Sequence, residues 1–187
     1  LRFPPGVLHL EVGIQTWSPA VARRVHRALD RAAADETLRF LIREARAAVH
    51  ADLIAGLPGE TFASFAEGFD HLVALAPAEL QVGLLKSLPG TETRRTAKDE
   101  GLVFSPDPPY EILATPQIPF AQMQRLARFA RCWELLYNRK RFPTAAQRLW
   151  AGGRSPFACV LALADRLQER HGRLHALCPA RLAEALL

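Results

Sequence analysis

Four polar side chains have the types and spacing to do chemistry together. Gln15 closes an alternating segment, Asp52 lies inside an apolar run, and Lys86 ends a third run. A carboxylate and an amide at strand ends are suited to gripping a sugar diol, because each can hydrogen-bond a hydroxyl in a partly dry site. Arg27, twelve positions after Gln15, adds a guanidinium able to pair bidentately with a carboxylate. Around Asp52, the stretch His50-Ala51-Asp52-Leu53-Ile54-Ala55-Gly56-Leu57-Pro58-Gly59-Glu60-Thr61 superficially resembles a phosphate loop. That loop needs a lysine to reach the phosphates and a hydroxyl to hold magnesium, and no lysine follows here, which removes nucleotide hydrolysis. No Gly-x-Ser-x-Gly elbow occurs either, so the isolated histidines read as surface or core residues.

The elements that must position these groups follow from periodicity. Val7 to Thr16 alternates apolar and polar residues and is expected to be a strand, with His9, Glu11, Gly13 and Gln15 on one face. Ser18 is a candidate N-cap and Pro19 a first helical residue, followed by an apolar stripe of Val21, Val25 and Leu29 with Arg24, Arg27 and Arg31 beside it. A second helix is expected from about Asp35, burying Leu38, Leu41 and Ile42, and a second strand from Val49. Gly56-Leu57-Pro58-Gly59 then turns the chain into a helix with the stripe Phe62, Phe65, Phe69, Leu72 and Val73. A third strand, Glu79 to Lys86, leads through Pro89-Gly90 to a short charged helix ending near Glu100. Strands separated by helical crossovers run parallel, so residues 1–115 read as an α/β unit, part of a β/α barrel or an open sheet.

From Ser105 the texture changes. Ser105 to Tyr110 is a proline-rich connector, Glu111 to Ala114 a short strand, and beyond a boundary near Thr115 the chain is expected to be helical. One long helix carries Phe120, Met123, Leu126, Phe129, Trp133, Leu136 and Tyr137; another carries Phe157, Val160, Leu161, Leu163 and Leu167; a last one spans Leu174 to Leu187. Residues 116–187 thus form a small helical domain.

Composition bounds the partners. With 49% apolar residues in 187, the chain can bury a core, and no apolar run approaches the ~20 residues a membrane span needs. No secretory leader opens it, so a cytoplasmic protein is expected. The net charge of +5 comes from arginines interleaved with acids, as in Arg43-Glu44-Ala45-Arg46, which points to solvated helix faces rather than nucleic-acid binding. Cys132, Cys159 and Cys178 are far apart and form no CxxC pair, so they read as reduced, buried thiols. The chain begins at Leu1 and its only methionine is Met123, which leads us to expect a fragment of a longer protein.

Taken together, Glu11-Val12-Gly13-Ile14-Gln15-Thr16, Arg27 and the Asp52 to Thr61 string resemble the later strands of the partial (β/α)6 TIM-like barrel of radical S-adenosylmethionine (SAM) enzymes. The likeness is to the branch that includes coproporphyrinogen dehydrogenase and cobalamin-binding members. Leu85-Lys86-Ser87-Leu88-Pro89-Gly90-Thr91 is similar to the sixth strand of that barrel. Asp107-Pro108-Pro109-Tyr110-Glu111-Ile112-Leu113, with Tyr137-Asn138-Arg139 and Arg141-Phe142, resembles the C-terminal domain DUF4080 attached to some of those members.

The resemblance implies the C-terminal half of a radical SAM barrel followed by a helical accessory domain. It implies that Gln15 and Asp52 hydrogen-bond the SAM ribose hydroxyls, that Arg27 pairs with the SAM carboxylate, and that Leu85 to Leu88 border the adenine. The implied activity is cleavage of SAM beside a 4Fe-4S cluster to a 5'-deoxyadenosyl radical that abstracts hydrogen from a substrate. The family's CxxxCxxC motif is absent from these 187 residues, so the cluster ligands, and any cobalamin domain, are expected in an N-terminal part of the same protein. The competing expectation is a barrel remnant or helical interaction module that ignores SAM.

Overall fold

The computed structural model describes residues 4–140, 142–172 and 182–184. The chain divides into two compact units, Leu1–Met123 and Gln124–Leu187.

The first unit is mixed α/β, built on a three-stranded parallel sheet of β1 (His9–Gln15), β2 (Ala48–Ala55) and β3 (Glu79–Leu84), in that order. β2 alternates strictly between half-buried and buried residues. Its buried set, Val49, Ala51, Leu53 and Ala55, belongs to the core with Phe65, Phe69 and Leu72 of α3 (Phe62–Leu75), which packs on this strand. His50, Asp52 and Ile54 take the opposite face and stay half-exposed. The Phe-rich stripe is therefore an α-helix as expected, opened by a capping box in which Thr61 and Ser64 bond each other's backbone N–H.

The first crossover holds two helices as expected, but with different bounds. α1 spans only Pro19–Arg24, capped by the Ser18 hydroxyl, which accepts from Val21 N–H at 3.4 Å. It stops because His26 adopts a left-handed φ of +55°. His26 N–H then donates to Arg23 O and Arg27 N–H to Ala22 O, the paired bonds of a Schellman ending. Arg27 consequently lies past the helix rather than on it, and Val25 and Leu29 do not continue an α1 stripe. α2 begins at Arg31 rather than Asp35, because the Asp30 carboxylate accepts from Ala32 and Ala33 N–H. It runs to Arg39 and widens into a π-turn over Phe40–Glu44; Leu38 is buried, whereas Leu41 and Ile42 are half-exposed.

β3 ends two residues before Lys86, whose backbone forms an isolated bridge with Glu111. A short helix, α4 (Glu92–Thr96), precedes an antiparallel pair that the sequence reading contained only in part: β4 (Val103–Phe104) on β5 (Ile112–Ala114). Two residues of β4 are too few for a period-two pattern to register.

The second unit is helical throughout its described residues. α5 (Phe120–Trp133) continues as a π-turn over Glu134–Asn138 and is followed by α6 (Pro143–Leu149) and α7 (Pro156–His171). The unit's core includes Phe129 against Phe157, with ring centroids 4.6 Å apart, and Trp133 stacked on Tyr137 at 4.3 Å. Arg125 donates to both oxygens of Asp165, tying α5 to α7. Most of the expected helix over 174–187 lies outside the described residues, as do Cys178 and Arg141.

Candidate functional site at the ends of β1 and β2

β1 and β2 stay in register from His9 opposite Ala48 to Val12 opposite Ala51, after which β1 meets Leu53 only at Gln15. Gly13 and Ile14 therefore stand against the single residue Asp52, the two-against-one count of a β-bulge. Thr16 N–H donates to Ile14 O at 2.8 Å, spanning Gln15, whose φ is +67°. A bond closed over one residue of positive φ is a γ-turn of the rare, strained hand. For a residue with a side chain such a conformation costs about 1 to 3 kcal/mol and survives only where its surroundings over-determine it.

The kink carries the Gln15 side chain back over Gly13. A β-carbon placed on Gly13 would lie 2.7 Å from Gln15 Nε2 and 3.8 Å from Arg27 Nη2. Glycine there leaves the space that the Gln15 amide occupies, with the Arg27 guanidinium at its margin. Arg27 arrives from the Schellman ending of α1 and donates from Nη2 to Gly13 O at 2.8 Å. Arg27 is thus placed by the ending of α1 rather than by the expected helix face.

Asp52 stands opposite the bulge, on the half-exposed face of the sheet. On that face Glu11, His50 and Glu79 form one row across the three strands, and Asp52 and Gln81 occupy the next. His50 Nδ1 lies 3.6 Å from Glu79 Oε2. Burial raises the Asp52 carboxyl above its ordinary range, Glu11 and Glu79 raise it further by repulsion, and His50 pulls it back. Asp52 accepts no hydrogen bond among the described residues, which leaves its oxygens available to hydroxyl donors. One end of the sheet therefore gathers an acceptor, a two-way amide and a cation, a set matched to a ligand bearing both hydroxyls and a carboxylate.

Lys86 does not join them: it is exposed beyond β3. Next to it, Leu85 is buried, donating its N–H to Ala55 O and accepting from Ile112 N–H at 2.9 Å. The turn after β2 is shaped by Gly56, with φ +91°, where a β-carbon would come within 2.7 Å of Ile112 Cγ2.

Sequence reading gave no role to Thr16 and Glu60, both only 1% exposed. Thr16 Oγ1 donates to Glu60 Oε1 at 2.7 Å and accepts from Ser18 N–H at 3.1 Å. Burial pushes the Glu60 carboxyl up to about 7, against the lowering effect of the Thr16 bond. Glu60 Oε2 is buried without a partner among the described residues. An acid between Gly59 and the Thr61 cap looks like an ordinary exposed turn residue, so nothing local signals its burial.

Among the described residues, Cys132 and Cys159 belong to no metal-ligating group. Cys132 is buried in α5, its thiol pushed up to about 12 by desolvation, and Cys159 lies on α7. No group of three metal-ligating side chains occurs among the described residues, so these do not fit a 4Fe-4S cluster. No helix among them is long and apolar enough to cross a membrane.

No curated protein matches the chain significantly. Residues 98–172, which run from just after α4 through α7, are similar to the protein family of unknown function described as DUF4080.

Proposed function

We propose that the first unit is the SAM-holding part of a radical SAM barrel, with Gln15 and Asp52 on the ribose hydroxyls and Arg27 on the carboxylate. The observation that supports this best is that the Gln15 amide and the Arg27 guanidinium both lie against Gly13, in the bulge that faces Asp52. Bound SAM supplies the 5'-deoxyadenosyl group as a radical source. The chain's own contribution is positional. Asp52, free of internal hydrogen bonds, accepts from a diol; Gln15 accepts or donates beside it. Arg27 exchanges its bond to Gly13 O for a charge-assisted pair with a carboxylate. In this reading the cluster cysteines belong to another part of the polypeptide, and the DUF4080-like segment is an accessory to the barrel. No residue of this chain is assigned to cobalamin.

Calorimetry with SAM on the full-length protein tests the assignment. Asp52→Ala and Arg27→Ala should each weaken binding by about 1 to 3 kcal/mol, as expected for hydrogen bonds to charged groups. Equal affinity in wild type and both variants would remove these residues from the site. Absence of SAM binding altogether would favour a non-catalytic barrel remnant.

A further inference from the structure

The strained Gln15 turn needs an external restraint, and contacts converge on the two residues that follow it, Thr16 and Trp17. Thr16 is held by its buried bond to Glu60 and by Ser18 N–H. Arg31 Nε donates to Trp17 O at 2.6 Å. The Trp17 ring stacks on His71 of α3, with centroids 4.5 Å apart. Trp17 also packs so closely on α3 that a β-carbon on Gly68 would lie 2.7 Å from Trp17 Cβ. Of these contacts, the one from Glu60 joins the end of β1 directly to the turn that follows β2. That turn is closed by Glu60 N–H donating to Leu57 O at 3.1 Å.

We infer that the Thr16–Glu60 hydrogen bond is a positioning clamp: it holds Gln15 in its left-handed turn so that its amide stays over Gly13 beside Arg27. The inference rests on the reading of Gln15 as a SAM ligand only for its consequence, not for the clamp itself. Thr16 and Glu60 touch no ligand in this scheme. Their bond places the adjacent residue, and its energetic return is preorganisation of a conformation that a free chain would leave. Both partners are fully buried, and the hydroxyl accepts from Ser18 N–H, which orients its proton toward Glu60.

The test separates the clamp from the binding site. In isotopically labelled protein without SAM, Gln15 should show the strong intraresidue HN–Hα Overhauser effect of a positive φ. Thr16→Val, which keeps the shape and removes the donor, should abolish that signal and weaken SAM binding about tenfold. Thr16→Ser should restore both. Glu60→Leu, which keeps a buried side chain and removes the acceptor, should repeat the Thr16→Val result, and it decides the matter if Thr16→Val does not fold. Persistence of the Gln15 signal in the valine or leucine variant overturns the clamp. The SAM reading is judged separately by Asp52→Ala, a residue outside the clamp, so a wild-type protein that ignores SAM defeats that reading while the Gln15 signal still decides this one.

Discussion

At the scale of single residues, Glu60 is the least expected group. It was visible as one letter of the Gly-Leu-Pro-Gly-Glu-Thr string, yet its burial depends on a strand 44 positions away, so no local pattern contains it. Its folded-state carboxyl retains a proton up to about pH 7, whereas an unfolded chain releases it near 4.5. The folded state therefore binds more protons between those values. Its stabilising contribution is complete below pH 4.5 and is lost as pH rises through 7, amounting to about 3 kcal/mol. Chemical denaturation from pH 4 to 8 should show wild type losing stability across this window relative to Glu60→Gln, which cannot ionise but still accepts from Thr16. Parallel curves for the two proteins would mean that Glu60 stays charged. Gln15 and Asp52 were legible by type, because an amide or a carboxylate is unusual in or at the end of an apolar run, whereas Arg27 stood out only through the resemblance to radical SAM enzymes.

At the scale of elements, the strands and the Phe-rich α3 follow from alternation and from the stripe of Phe65, Phe69 and Leu72. The end of α1 does not, since a histidine in the left-handed region carries no sequence signal of the kind glycine gives. That residue offers a direct test. His26→Gly relieves the left-handed strain, while the exposed contact between His26 and Glu92, at 3.4 Å, contributes little. We expect the substitution to stabilise the first unit by about 0.5 to 1 kcal/mol, read as a higher melting temperature. A lower one would assign His26 a larger role through Glu92 than its exposure allows. The bulge in β1 was equally hidden: alternation continues through Ile14 and Gln15, and only the register against β2 reveals the extra residue.

At the scale of the whole molecule, the basic balance is dispersed. Arg24 pairs with Glu100, Arg39 with Asp35, Arg125 with Asp165 and Arg139 with Glu134, so these four arginines are locally paired while the net charge of +5 is carried by others. An arginine held in an ion pair with an acid contributes less to counterion release from a nucleic acid than a free one. Filter binding with single- or double-stranded RNA near physiological salt should show no saturable retention. Retention that falls steeply with added salt would reinstate a nucleic-acid partner.

The sequence by itself determined the parallel α/β character of the first part, the helical character of the second, the similarity to DUF4080 and the three polar groups worth asking about. These depend on local periodicity and residue type, which are written along the chain. Only the tertiary structure decided that Arg27 leaves its helix, that Gln15 sits in a strained turn over Gly13, and that Thr16 is tied to a buried Glu60. Each of these arises from strand register or from contacts between residues far apart in sequence, where the energy of packing overrides local preference.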